Sequence, residues 1–296
     1  MRYGFCLPHH RPLATRELIL EAARRAEDGG YDTIWLNDHI APPSSPEQQH
    51  RRIFFEPLAL AGFVAAVAPT PKIGFSVLVL PYRHPVVTAK QLATIDVMTG
   101  GRLLFGIGVG YQAEEFAAVG ADFPRRGAIT DEYLQAIVEL WTKEAPRFAG
   151  PTVSFQDVSF WPKPVQRPHP PILVGGHGRI GIRRTVALGD AWYPDVIPLD
   201  ELRGWIAELH LRWTEAGRPG TPPVYYRRDV RFTDTPSSPR QPFEGTPRQI
   251  IEDLEACAEM GVTEVALDFA VPPDLTAEDW LRNQERFTRE VRPHAT

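Results

Sequence analysis

The chain has 296 residues, 43% of them hydrophobic and 23% charged, with a formal net charge of −5. That balance belongs to a globular chain, and its mild acidity argues against a nucleic-acid or anionic-membrane partner. The longest apolar run, residues 58–69, is too short to cross a bilayer, and two cysteines, Cys6 and Cys257, make no disulfide framework, so a cytoplasmic location is expected.

The start, Met1-Arg2-Tyr3-Gly4, runs straight into a strand over residues 2–7 without a signal-peptide core, and the strand ends at Pro8-His9-His10. Residues 16–28 predict a helix, with Leu18, Ile19, Ala22, Ala23 and Ala26 on one stripe, Thr15 as N-cap and Gly29 as stop. The next strand, 32–38, has the apolar core Thr33-Ile34-Trp35-Leu36 and ends in Asn37-Asp38-His39. A polar, proline-rich loop follows; residues 40–55 read either as a lid over the strand end or as a plain surface excursion.

Glu56-Pro57 opens a helix to about residue 68, with proline at a first-turn position it tolerates. A strand over 73–80 leads to Pro81-Tyr82-Arg83-His84, and a helix runs from Pro85 to Gly100-Gly101. A strand over 103–109 then meets Gly108, Gly110 and Tyr111, and a helix spans about 126–143. The cadence breaks at about 147–171, where strand-like pieces and prolines at 151, 162, 164, 168, 170 and 171 predict an inserted hairpin plus an extended segment.

Alternation resumes with a strand at 172–174, Gly175-Gly176-His177-Gly178 and a helix to Leu188. Strands at 191–193, 223–232 and 263–269 and helices at 200–216, 247–260 and 275–291 complete the chain. Eight strands, each followed by a helix, with glycine turns at Gly30, Gly101, Gly189 and Gly261, predict an α/β fold with a parallel sheet. Eight units favour a closed (β/α)8 TIM barrel, and residues 1–296 are expected to form one domain.

Ligands of such barrels sit at the C-terminal ends of the strands. Asp38-His39 stands at one of them. A histidine titrates near neutrality and can exchange a proton while a hydride moves; the plainer alternative is a histidine that bonds the loop. Gly106, Gly108 and Gly110 are spaced G-x-G-x-G, which is not the dinucleotide fingerprint. They either let a flat ring or a phosphate approach the backbone or ease packing in a crowded barrel.

Gly175-Gly176-His177-Gly178 is the best phosphate candidate, with free amides, a helix start near Arg179, and Arg183 and Arg184 following; the plainer alternative is an ordinary tight βα turn. No metal site is expected. His9 and His10 are adjacent and point apart in an extended chain, and no H-e-x-x-H pattern occurs. Neither a phosphate-binding G-x-x-x-x-G-K-[ST] loop nor a G-x-S-x-G nucleophile elbow is present.

The ordered stretches Trp35-Leu36-Asn37-Asp38-His39, Gly74-Phe75-Ser76-Val77-Leu78, Pro81-Tyr82-Arg83-His84-Pro85, Gly100-Gly101-Arg102, Gly106-Ile107-Gly108-Val109-Gly110 with Glu114-Glu115, Pro170-Pro171-Ile172 into Gly175-Gly176, Gly189-Asp190 and Gly245-Thr246-Pro247 carry a family resemblance. The chain resembles the bacterial luciferase-like flavin and deazaflavin oxidoreductases, most of all the branch that uses coenzyme F420. The resemblance implies a barrel with an inserted hairpin after the fourth helix and a cis peptide between Ser76 and Val77, forming a bulge behind a deazaflavin ring. It implies that backbone at Val109, Gly110, Gly175, Gly176, His177 and Gly178 holds the cofactor's ribityl and phosphate parts. Asp38 would contact the polar chromophore, His39 would be catalytic, and barrel helices would form a homodimer.

Two departures narrow the substrate. Sugar-phosphate dehydrogenases of the family carry a tryptophan soon after the aspartate-histidine pair and a glutamate just after the glycine strand. This chain has Ile40-Ala41-Pro42-Pro43 and Tyr111 there, so glucose 6-phosphate is not the expected substrate. The 40–55 loop, Tyr82, Tyr111 and Trp192 would instead line a pocket for an apolar or aromatic molecule. The expected activity is F420-dependent hydride transfer to a small organic substrate. The alternatives are an FMN-dependent two-component monooxygenase and a non-catalytic deazaflavin-binding protein.

Overall fold

The computed structural model describes residues 1–10, 13–43, 53–236, 238–270 and 275–295. Eight parallel strands form its centre: β1 (Arg2–Cys6), β2 (Thr33–Leu36), β3 (Lys72–Phe75), β4 (Leu103–Gly108), β5 (Ile172–Gly175), β6 (Ala191–Tyr193), β7 (Tyr225–Asp229) and β8 (Glu264–Asp268). The order β7-β8-β1-β2-β3-β4-β5-β6 runs around a ring. Parallel bridges Trp192↔Val224 and Asp195↔Arg227 close it between β6 and β7. The result is the expected (β/α)8 barrel.

Helices α1 (Arg16–Asp28), α2 (Pro57–Val67), α3 (Pro85–Met98), α4 (Arg126–Thr142), α5 (Gly178–Leu188), α6 (Leu199–Glu215), α7 (Pro247–Glu259) and α8 (Ala277–Arg286) form the outer layer. In α1 the five predicted stripe residues are buried, and the Thr15 side chain accepts from the Leu18 amide at 3.1 Å. Period-2 alternation on the strands separates two cores. One lies between strands and helices; the other, Cys6, Trp35, Leu104, Leu173, Ala191, Tyr193, Tyr225 and Ala266, fills the barrel itself. No helix among the described residues is long and apolar enough to cross a membrane.

Three elements differ from expectation. The predicted strand over 73–80 is broken: Gly74 pairs with Leu104, but Leu78 pairs with Ile107, so the chain running on from β3 holds one extra residue between these pairs. That is a β-bulge, and the Ser76–Val77 peptide within it is cis, as the resemblance implies. The predicted strand over 223–232 stops at Asp229; Arg231–Phe232 leaves the barrel to pair with Glu244–Gly245. A short helix, Ala113–Ala118, unforeseen in the sequence, lies between β4 and α4. Within the predicted insertion, Phe148–Ala149 pairs antiparallel with Ser154–Phe155.

Candidate active site

Strands β2, β3, β4 and β5 are consecutive and parallel, so their C-terminal ends share one rim of the barrel. That rim brings together Asn37–His39, the bulge at Ser76–Val77, Val109–Gly110 and Gly175–Gly178. It is also the rim at which barrel ligands are held.

At the end of β2, Asp38 is buried and held by protein groups. Its oxygens receive the two terminal guanidinium nitrogens of Arg83 at 2.7 and 2.8 Å and the Val79 amide at 2.9 Å. Arg83 reaches on to Glu56 at 2.7 Å, at the N-cap of α2. The resemblance placed Asp38 against a chromophore. Here the carboxylate ties β2 to the strand segment after the bulge.

His39 follows. Its side chain is 18% exposed, and its Nδ1 lies 2.8 Å from Oε2 of Glu115, a carboxylate with no exposed surface. The Tyr82 hydroxyl donates to the same oxygen at 2.9 Å. The Ile40 and Ala41 amides donate to the other oxygen, Oε1, at 2.5 and 3.0 Å. Burial alone would raise the Glu115 carboxyl, but the bonds from His39, Ile40 and Ala41 outweigh it and hold the group below its ordinary value. Burial and the neighbouring Glu115 push the Tyr82 phenol up, so it remains a donor.

Around the imidazole stand Phe54, with ring centroids 4.7 Å apart, and Tyr111, edge-on at 6.0 Å. Tyr111 is 71% exposed beside His39. Tyr82, expected in the substrate wall, is buried against Phe116 and serves Glu115. Trp192 is likewise not a wall residue: it has no exposed surface, lies in the outer core, and donates from Nε1 to the Gly176 carbonyl at 2.9 Å. Its neighbour Tyr193 takes the inward position, because adjacent strand residues face opposite ways, and its hydroxyl donates to Ser76 Oγ at 2.9 Å. Residues 44–52 of the expected lid lie outside the described residues.

The glycines of the rim divide into two groups. A Cβ on Gly108 would sit 2.3 Å from Val77 Cγ2, and one on Gly175 would sit 2.9 Å from Val77 Cγ1. These glycines make room for the bulge, so the packing alternative holds for Gly108. Gly110 has φ +76 beside the partly exposed Val109. Gly176 and Gly178 have φ +127 and +58, conformations that disfavour a side chain. Between them His177 is exposed and is the N-cap of α5, yet its side chain makes no capping bond. Among the described residues no side chain caps the first-turn amides of α5, and Arg179 is exposed beside them.

Across the barrel, Arg227 on β7 joins Asp268 at 2.6 Å and Asp195 at 2.9 Å, linking β8, β7 and the end of β6. Among the described residues no group of three His, Cys, Asp or Glu side chains is placed to hold a metal ion.

Glu115 is the site residue that sequence reading gave no role, whereas Phe54 lies in the 40–55 loop expected to line the pocket. Glu114-Glu115 stood among the matching stretches, but which carboxylate turns inward depends on the short helix Ala113–Ala118.

Residues 1–241 match the model of the family described as luciferase-like monooxygenase. The chain is 36% identical over 179 residues to an FMNH2-dependent dimethylsulfone monooxygenase of Pseudomonas putida, covering 58% of this chain and 46% of the relative. It is 34% identical over 180 residues to an F420-dependent glucose-6-phosphate dehydrogenase of Amycolatopsis mediterranei, covering 59% and 52%. Among solved structures, a monooxygenase from Streptomyces bottropensis superposes over 100% of both chains with a TM-score of 0.85 at 18% identity, a likeness of fold.

Proposed function

The chain belongs to the luciferase-like monooxygenase family, and from that premise we propose that it is a coenzyme F420-dependent oxidoreductase. Its reaction passes a hydride between the deazaflavin and a small organic substrate, in the direction of substrate reduction. The observation that carries this reading is His39, backed by the buried Glu115 on the rim where the four strand ends meet. A hydride acceptor needs a proton partner, and this pair is built to exchange one.

The residues present fit such a cofactor. The uncapped first turn of α5 and the bare backbone at Gly176 and Gly178 suit a phosphate. Ser76, Val77, Val109, Gly110, Gly175 and His177 complete the proposed cofactor-binding set. When bound, a reduced deazaflavin supplies two-electron hydride chemistry without oxygen activation. His39 exchanges the proton, and Ile40, Phe54 and Tyr111 give the rim around it an apolar, aromatic character suited to an organic substrate. Assembly as a homodimer is part of the same reading.

Titrating the purified protein with F420 and with FMN separates the readings. Tight deazaflavin binding is expected, and turnover should fall roughly 10²-fold or more in His39→Ala. Tight FMN binding without deazaflavin binding would favour the second reading, an FMN-dependent monooxygenase, which the dimethylsulfone monooxygenase relative supports. Unchanged turnover in His39→Ala would favour a protein that only binds the deazaflavin.

A further inference from the structure

We propose that Glu115 is the positioning residue that decides which nitrogen of His39 exchanges the proton: it keeps Nδ1 protonated and leaves Nε2 as the working atom. This rests on the reading of His39 as the proton-exchanging group, but it is a statement about the protein alone.

Four donors converge on one buried carboxylate. His39 Nδ1 and the Tyr82 hydroxyl meet Oε2 at 2.8 and 2.9 Å, and the Ile40 and Ala41 amides meet Oε1 at 2.5 and 3.0 Å. An ionised carboxylate only accepts. A ring nitrogen held 2.8 Å from it therefore carries a hydrogen, since a bare lone pair there would be repelled. Among the described residues no hydrogen bond reaches Nε2. In a substrate reduction the Nε2–H bond of the protonated ring would break and its proton would go to the substrate atom that gains the electron pair, the hydride being what a bound reduced deazaflavin would supply. The neutral ring left behind still donates from Nδ1 to Glu115. Oxidation of an alcohol runs the same path backwards.

The arrangement makes a sharp forecast for Glu115→Gln. A glutamine has one accepting end and one donating end. The Ile40 and Ala41 amides can only donate, whereas an imidazole and a phenol can each change role. The amide oxygen should therefore turn to the two backbone groups and its NH2 to His39 and Tyr82. Nδ1 then becomes the acceptor, and the proton moves to Nε2.

The test is ¹⁵N NMR of the histidine rings in full-length, cofactor-free protein at alkaline pH, with His39 assigned from a His39→Gln spectrum. Wild type should show a protonated Nδ1 and a bare Nε2. Glu115→Gln should reverse the pair, and Tyr82→Phe should leave it as in wild type. With a working substrate, the reversed tautomer should lower kcat roughly 10²-fold or more while deazaflavin affinity holds. A protonated Nε2 in the wild type, an unchanged tautomer in Glu115→Gln, or full kcat with a reversed tautomer would each overturn the proposal. Should Glu115→Gln not fold, the wild-type and Tyr82→Phe spectra decide alone, and both must show the Nδ1–H form. Failure to bind a deazaflavin would sink the functional reading without touching these ring signals.

Discussion

Glu264 opens β8 at the end of the barrel opposite the candidate site and has no exposed surface. Thr33 Oγ1 and Trp35 Nε1 donate to it at 3.0 and 2.9 Å, while the Arg2 guanidinium lies 3.8 Å away. Burial outweighs these partners and pushes the carboxyl up to about 7. A raised carboxyl favours the protonated form in the folded chain, so its stabilising contribution is complete below the unfolded value and is lost as pH rises to about 7. Glu264→Gln removes that dependence. Its stability relative to wild type should rise between about pH 5 and pH 8, by on the order of 3 kcal/mol. Urea unfolding at the two pH values checks this, and a difference that does not change with pH would count against it.

Helix α1 shows what is readable from neighbours in sequence. Its stripe, its cap and its glycine stop all lie within one short segment. Thr15→Ala should cost about 1 kcal/mol by orphaning a first-turn amide, seen as a lower urea midpoint with an unchanged slope. Most of the barrel count was equally legible, because most strands are short apolar runs near a glycine or proline; β7, with Arg227, Arg228 and Asp229, is the exception. The break in the strand over 73–80 was not legible from periodicity, since those residues are apolar but for Ser76 and the extra residue shows only against β4. Trp192 was misread for a related reason: in a strand of three residues, alternation cannot say which face turns inward, and pairing decides. His39 and the Gly175–Gly178 turn could be singled out because both sit at strand ends. The partnership with Glu115 could not, because it spans 76 positions and depends on where the short helix docks.

At the scale of the whole barrel, the ring is not equally strong all round. β8 pairs with β1 and β7 through runs of four and five residues, whereas among the described residues the seam between β6 and β7 is bridged only at Trp192↔Val224 and Asp195↔Arg227. The Arg227–Asp195 ion pair reinforces that seam, and the Arg227–Asp268 pair ties β7 on to β8. Local opening is governed by such differences in hydrogen bonding and packing. Amides of residues 191–196 should therefore exchange with deuterium faster than those of β1 and β8, as mass spectrometry of exchanged peptides would show. Equal protection all round the ring would refute the idea.

The grip of Glu115 on Ile40 and Ala41 also bears on how such a barrel can be redesigned. Anyone grafting a foreign segment after β2 to accept another compound would be transplanting half of a lock. The hexapeptide Ala113–Ala118 holds the other half, so the two pieces need to travel together as one cassette.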